Sequence, residues 1–294
     1  MNIKTAKLTP LDIIIGLLVL TAAGYILYRI RIGLHYDWQW EKIPRYFFRY
    51  DETSGAWVPN MLMQGLFTTI RLSLWGVLLA TLIGLVMGLC RLSHRLFWRL
   101  IGGAYVGVVR NLPPLVLIFI FYFFISIQIM PLLRVDELAA SSSQGTQNVL
   151  AFLFARPAAF STFLSALMTL AVFEGAYIAE IVRGGIRSID AGQWEASAAL
   201  GLNRLQQLRH VIFPQAVRRI LPPLAGQFIS TIKDSAIVSV ISIQELTFQG
   251  LELMAATYLT FEIWITIAGI YLVLCLVLSL AVERLEIRLR LSNA

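Results

Sequence analysis

Apolar residues stand along this chain in long, nearly uninterrupted blocks and not in the spaced pattern of a soluble amphipathic helix. A helix needs about 20 consecutive apolar residues to cross the hydrocarbon core of a bilayer. Six blocks approach or exceed that length, at residues 11–28, 61–90, 101–130, 160–182, 222–243 and 263–282. The pattern therefore predicts an all-α integral membrane protein with about six transmembrane helices.

Proline pairs and polar stretches divide these blocks. The pair at 113–114 is predicted to break or kink the third block, and the pair at 222–223 to open the fifth, because proline donates no helical hydrogen bond. Residues 131–158 lack a helical period, and residues 245–262 hold three Glu but no Lys or Arg. We expect both segments to be extracytoplasmic loops.

Composition and charge support a membrane location. With 58% hydrophobic and 14% charged residues, the chain has too little polar surface for a soluble domain of 294 residues. The net charge of +7 does not indicate nucleic-acid binding, because the basic residues are spread between the apolar blocks. Fourteen Lys and Arg residues fall on the inner side of the predicted topology and seven on the outer side. This bias predicts that both termini are cytoplasmic.

The first 58 residues form a separate predicted segment. Lys4 and Lys7 precede the first block, so a signal peptide is the alternative to an uncleaved helix. We favour the helix because the apolar run continues past the small residues 21–23. A segment dense in aromatic residues follows and is typical of the headgroup level of a membrane. The predicted division is 1–58, a transmembrane domain at 59–285, and a cytoplasmic tail at 286–294.

No enzyme signature occurs in the chain. None of its four lysines follows a glycine, which excludes the Gly-Lys of a phosphate-binding loop. Cys90 and Cys275 stand alone in apolar blocks, and the three histidines have no ligand spacing, so no metal site is predicted. We expect the chain not to be an enzyme, and uphill transport would need energy from a partner or an ion gradient.

Charged side chains at membrane depth usually face the protein interior or a water-filled path. Arg71, in the outer half of its block, is a candidate for binding a substrate carboxylate, with snorkelling to the surface as the alternative. Lys233 and Asp234 form either part of a substrate path or a salt bridge buried between helices. For Arg110, beside the double proline, we favour a structural role over a substrate role. Glu180 and Arg183, one turn apart, are interpreted as an interfacial pair.

The polar stretch at 193–214 separates the fourth and fifth blocks and is predicted to form two short helices joined by a glycine. Asp190 can cap the first helix, and Gly201 lies where a left-handed residue ends a helix. Asn203 can cap the second, with Gln206 three residues on. Leu205, Leu208 and Ile212 fall on one helical face, and we expect the second helix to end or bend near Pro214.

The same stretch resembles the EAA loop of ABC importer membrane subunits in Glu195-Ala196-Ser197, Gly201 and Ile212-Phe213-Pro214. Ser197 and Phe213 depart mildly from the usual form of that loop. Residues 176–186 and 227–235 resemble the polar amino-acid permease branch. The resemblance covers about residues 60–285 and leaves out the first sixty.

The resemblance implies a permease subunit of an ATP-driven importer in a bacterial cytoplasmic membrane. Its partners would be a dimer of ATP-binding subunits, which hold the ATP and Mg, a second identical or homologous permease, and a periplasmic or extracellular substrate-binding protein. The coupling positions would be Gln193, Glu195, Ala196, Ser197, Gly201, Ile212 and Pro214. The run at 110–114 favours glutamate, aspartate or glutamine. The alternative is a stand-alone secondary transporter or channel for a small polar solute.

Overall fold

The computed structural model describes residues 10–33, 36–53 and 55–291, and the contacts divide the chain into two compact units, residues 1–41 and 42–294. The first unit contains helix α1, Pro10–Gly33. After α1, the rings of Trp38 and Trp40 stack with their centroids 5.8 Å apart, and Tyr36 packs edge-on against Trp38. The aromatic segment predicted from the sequence is therefore locally ordered.

The second unit begins with a small hairpin and continues as a helical bundle. Strand β1, Phe48–Asp51, pairs antiparallel with β2, Ala56–Pro59. The helices are α2 Met61–Leu92, α3 Leu96–Asn111, α4 Pro114–Phe124, α5 Met130–Leu133, α6 Val135–Ser141, α7 Gln144–Leu153, α8 Phe160–Arg187, α9 Ala191–Ala199, α10 Arg204–Gln206, α11 Phe213–Asp234, α12 Leu246–Thr257 and α13 Thr260–Leu291. Two π-helical segments, Ile125–Ile129 and Gln207–Ile212, join α4 to α5 and α10 to α11. Short 3-10 helices of three residues lie at Trp40–Lys42, Pro44–Tyr46 and Pro157–Ala159, and a longer one of seven residues lies at Ser235–Ile241.

Five helices in the described part of the chain are long and apolar enough to cross a membrane. They are Met61–Leu92, Pro114–Leu133, Pro157–Arg187, Arg204–Ile241 and Thr260–Arg284. The first predicted span falls on α1, within which Pro10–Ile26 is an apolar stretch below that length. The all-α membrane fold is confirmed, and the described residues contain five helices of full membrane-spanning length.

The two proline pairs behave differently. The pair at 113–114 breaks the predicted third span, so that α3 ends at Asn111 and α4 starts at Pro114. The expectation that the pair at 222–223 opens the fifth span is wrong, because both prolines lie inside α11. Ala216, Ile220 and Ile232 of α11 are buried, and this packing holds the helix together despite the missing backbone donors.

Both segments expected to be outer loops contain helices. Residues 131–158 include α6 and α7, and Ser143 caps α7 because its side chain accepts a hydrogen bond from the amide of Thr146. Residues 245–262 include α12. Glu245 caps that helix by accepting from the amide of Phe248 at 2.8 Å. Polar capping residues and short helix lengths masked the helical period in these two segments.

Glu245 joins three helices. Its side chain is fully buried and accepts hydrogen bonds from the hydroxyl of Tyr271 on α13 at 2.9 Å and from that of Thr69 on α2 at 3.3 Å. The hydroxyl of Thr69 in turn accepts from the amide of Leu246 at 3.1 Å. This carboxylate therefore ties the start of α12 to both neighbouring spans.

Helix α8 lies at the centre of the bundle. In its apolar 18-residue stretch 72% is buried inside the protein, whereas in the corresponding stretch of α13 only 6% is buried. Glycines allow α2 to approach α8 closely. A Cβ atom at Gly84 would lie 2.6 Å from Ile178 Cγ2 and 3.0 Å from the amide nitrogen of Ala179. At Gly88 it would lie 2.9 Å from the carbonyl oxygen of Ala179. The four-residue spacing of these glycines thus has the packing role that it has in other membrane helices.

Candidate functional site

Helix α9 is the short exposed helix that the sequence predicted at the start of the polar stretch. Asp190 caps it, because its carboxylate accepts from the amide of Gly192 at 2.7 Å. Glu195, Ala196 and Leu200 are exposed, whereas Ser197 is 2% exposed. The helix therefore presents one acidic residue on a small apolar surface.

The turn after α9 has the predicted glycine geometry. Gly201 has a φ of +77°, which a residue with a side chain adopts only at a cost. Asn203 then caps the second helix in a reciprocal box: its side chain accepts from the amide of Gln206, and the Gln206 side chain accepts from the amide of Asn203. The predicted helix-glycine-helix unit is confirmed.

The second helix does not end or bend away at Pro214 as expected. It passes through the π-helical segment Gln207–Ile212 directly into α11, with Pro214 in the first turn of α11, where a missing amide costs least. The wider π turn also changes which residues share a face. Leu205 is 73% exposed while Ile212 is fully buried, so the expected common face of Leu205, Leu208 and Ile212 is wrong.

Side-chain contacts hold α9 against the second helix. The guanidinium of Arg204 lies over the ring of Trp194, 4.2 Å from its centroid. The amide nitrogen of Gln215 donates to the side-chain oxygen of Gln193 at 3.0 Å. Trp194 and Arg204 were not marked by sequence reasoning, although an aromatic and an arginine on facing helices are a recognisable signal. These two contacts link α9 to α10 and to α11.

The predicted coupling residues divide into two groups. Gln193, Glu195, Ala196, Gly201 and Pro214 are exposed. Ser197 and Ile212 are buried in the described structure, and the hydroxyl of Ser197 donates to the carbonyl of Trp194 at 2.9 Å. Only the exposed group is available to a partner surface, while the buried pair supports the shape of the loop.

Above the loop, an ionic cluster surrounds Glu180 of α8. Arg183 donates to its carboxylate at 2.7 Å, so the predicted pair is confirmed. Arg91 of α2 forms a second ion pair with Glu180, and the guanidinium of Arg110 lies 3.8 Å away. Arg110 also lies over the ring of Tyr177, 5.3 Å from the centroid. The cluster joins the ends of α2 and α3 to α8, which is the structural role favoured for Arg110.

A second polar cluster lies deeper in the bundle. Glu174 of α8 is fully buried, and its carboxylate accepts from the side-chain amide of Gln227 on α11 at 2.7 Å. Thr231 and Asp234 of α11 also lie beside this carboxylate. Sequence reasoning missed Glu174, although an acid within an apolar block was a sufficient signal.

The remaining predicted charges have distinct environments. Lys233 is exposed and Asp234 partly buried, which does not fit a salt bridge sealed between helices. Arg71 donates to the carbonyl oxygens of Ala151 and Phe154 at 2.9 and 3.1 Å. Arg71 thus anchors the end of α7.

Among the described residues, no group of three or more His, Cys, Asp or Glu side chains is arranged to hold a metal ion.

Comparison with known proteins agrees with this architecture. Residues 80–291 match the family described as the inner membrane component of binding-protein-dependent transport systems. The chain is 35% identical over 231 residues to the glutamine transport system permease protein GlnP of Escherichia coli (strain K12), a match of 79% of this chain and 94% of the relative. It is 30% identical over 233 residues to the probable glutamine ABC transporter permease protein GlnM of Bacillus subtilis (strain 168), with 79% and 95% covered.

Solved structures give the same result. A crystal structure of an amino acid ABC transporter with histidines is similar with a TM-score of 0.64 and 31% identity, over 86% of this chain and all of that one. An inward-facing methionine ABC transporter shares the fold with a TM-score of 0.57 at 18% identity, over 77% of this chain and 94% of that one. The curated relatives are transport permeases and not enzymes. The chain belongs to the inner membrane components of binding-protein-dependent transport systems, as a permease subunit of the amino-acid ABC importer class.

Proposed function

We propose that this permease passes a polar amino acid from a binding protein outside the cytoplasmic membrane into the cell, driven by ATP hydrolysis on separate partner subunits. Glutamine is favoured because two relatives carry it in their names, and glutamate and aspartate are its closest alternatives in size and polarity. ATP and Mg would be held by the partner ATPase dimer and not by this chain. A second permease subunit, identical or homologous, would complete the pathway.

The observation that carries this proposal is the exposed surface of α9. Glu195 and Ala196 are exposed on α9, a helix too short to be stable alone, and the exposed Gly201 lies in the turn that follows it. A thin alanine-faced surface fits a groove on a partner, and the Glu195 carboxylate can pair there with a basic group. We expect this surface to contact an ATPase subunit.

The contacts behind α9 provide a route for motion. Trp194 packs under Arg204, and Gln193 accepts from Gln215, so a displacement of α9 is carried to the helix that continues as α11. The same helix carries Gln227 and Asp234 at membrane depth. Movement of the loop would therefore shift the polar cluster around Glu174 relative to α8.

The polar cluster is the part of the pathway best suited to an amino acid. Asp234 offers a carboxylate to an ammonium group, and the exposed Lys233 offers a charge to a carboxylate. The amide of Gln227 suits a polar side chain. Arg71 and Arg110 remain predicted pathway residues, but their present contacts with carbonyls and with Glu180 support anchoring roles.

For topology we propose the arrangement with both termini cytoplasmic, in which α1 is a sixth membrane helix and the β1–β2 hairpin lies outside. The excess of Lys and Arg on the loop side of the bundle supports it. The division into 1–58, 59–285 and 286–294 stays a prediction of the same kind.

The test is reconstitution in liposomes with the ATPase subunits and labelled glutamine. Uptake is expected only with ATP and all subunits present. Glu195→Lys should abolish both co-purification of the ATPase and uptake, and Gly201→Asp should weaken both. Glu252→Lys, an exposed acid on α12, is the matched control and should behave as the wild type. Uptake by this polypeptide alone, without ATP, would instead establish a gradient-driven transporter.

A further inference from the structure

A basic cavity of about 720 Å³ lies where the end of α2 and the start of α3 meet α8 and the polar stretch at 193–214, here called the coupling loop. Arginine side chains dominate its polar lining: Arg91, Arg95, Arg99, Arg187 and Arg204, with Ser93 and His94 beside them. Apolar side chains close the rest of it, among them Leu89, Ile186 and Trp194. In the described part of the chain, no carboxylate lines this cavity.

The positive charge in the cavity exceeds the negative charge beside it. Arg91 is paired with Glu180, which does not line the cavity and also binds Arg183. Arg187 and Arg183 are close enough to Arg91 to repel it. An anion within the cavity would relieve this repulsion, and guanidinium groups bind phosphate oxygens with two parallel hydrogen bonds.

The apolar residues that flank the cavity's Arg99 along α3 favour a lipid over a soluble anion. Four apolar residues at the start of α3 surround Arg99 in sequence and are exposed: Leu96, Phe97, Trp98 and Leu100. The rings of Phe97 and Trp98 meet edge to face, 5.4 Å apart. Aromatic and aliphatic side chains next to arginines are typical of the level where headgroups meet acyl chains. A free phosphate has no apolar part that could contact these four side chains, whereas a lipid has acyl chains.

We propose that this cavity binds the phosphate headgroup of an anionic phospholipid, whose acyl chains lie along the exposed start of α3. The assignment of the cavity to the cytoplasmic leaflet rests on the proposed function, but the binding itself does not. Arg204 and Trp194 belong to both the cavity and the coupling loop. A bound lipid would therefore brace the loop that contacts the ATPase.

The test is lipid binding to the purified full chain in detergent, followed by native mass spectrometry. Phosphatidylglycerol and phosphatidylcholine with the same acyl chains are titrated separately. Phosphatidylglycerol is expected to bind the wild type more tightly than phosphatidylcholine. The double variant Arg95→Gln/Arg99→Gln should weaken phosphatidylglycerol binding about 25-fold, from roughly a fivefold loss for each arginine. Arg95→Lys/Arg99→Lys keeps the charge and should bind more tightly than the Gln variant.

The matched control is Arg209→Gln/Arg218→Gln, which removes two charges from exposed positions outside the cavity at the same end of the bundle. Unchanged binding in this control supports a defined site, and an equal loss would show diffuse surface attraction and overturn the proposal. Competition by millimolar inorganic phosphate would assign the cavity to a soluble anion and overturn the lipid. Displacement of the lipid when ATPase subunits bind would make the partner protein the occupant. None of these readouts depends on transport, so failure here leaves the importer proposal standing.

Discussion

The close approach of α2 to α8 predicts opposite effects for the same substitution at two glycines. Gly84→Ala places a methyl group 2.7 Å from the Cβ atom of Ile178, which is fixed to the α8 backbone and cannot rotate away. Overpacking of this kind costs about 2–3 kcal/mol. The gain in helix propensity from Gly to Ala offsets about 1 kcal/mol of it. The expected net loss of stability is therefore about 1–2 kcal/mol.

Gly184→Ala is the matched control on α8. A Cβ atom there meets no other atom within 4 Å, so the substitution keeps the propensity gain without the clash. In a thermal melt of detergent-solubilised protein followed by size-exclusion chromatography, we expect Gly84→Ala to lower the apparent Tm by about 2–8 °C. Gly184→Ala should leave it unchanged or raise it by up to about 4 °C. Equal midpoints for the two variants would refute the close contact between α2 and α8.

Two further predictions concern other buried polar contacts. Arg71→Met should free the end of α7 from its two carbonyl contacts and increase protease cleavage within residues 142–156, while Arg134→Met, at an exposed arginine, should not. Burial raises the pKa of the Glu245 carboxyl, so the folded state binds this proton more tightly than the unfolded chain does. The stability gained from this proton is therefore lost as the pH rises from the unfolded pKa, about 4.3, through the raised pKa of the folded state. Glu245→Gln should reduce this loss, measured as apparent Tm between about pH 4 and about pH 8; an unchanged pH profile would exclude Glu245 as its source.

Local signals in the sequence were sufficient for the coupling loop. The cap at Asp190, the left-handed Gly201 and the box between Asn203 and Gln206 each depend on residues within four positions of one another. Such contacts form wherever the surrounding chain permits, so they can be predicted without knowing the fold. The same holds for the break at 112–113, which the prolines at 113 and 114 cause in their own segment.

The parts that could not be predicted depend on residues distant in sequence. Pro222 and Pro223 stay inside α11 because neighbouring helices bury its other face, and nothing within the segment indicates that burial. The sequence makes Arg71 a candidate for substrate binding or snorkelling, because its actual partners, two carbonyls about eighty residues away, carry no side-chain signal. Glu174 is paired by Gln227, fifty-three residues later. Their roles follow from the three-dimensional packing alone.

The π-helical segment Gln207–Ile212 sets the phase between the coupling loop and the span that follows it. A π turn holds one residue more than an α turn, and one residue of an α-helix corresponds to a rotation of about 100° and a rise of about 1.5 Å. Deleting a single residue here would let the helix relax to regular α geometry and swing α9 about a quarter of a turn around the axis of α11. The surface of Glu195 and Ala196 would then point away from the proposed ATPase contact, although every side chain would be intact. In this segment the number of residues is as strict a requirement as their identity.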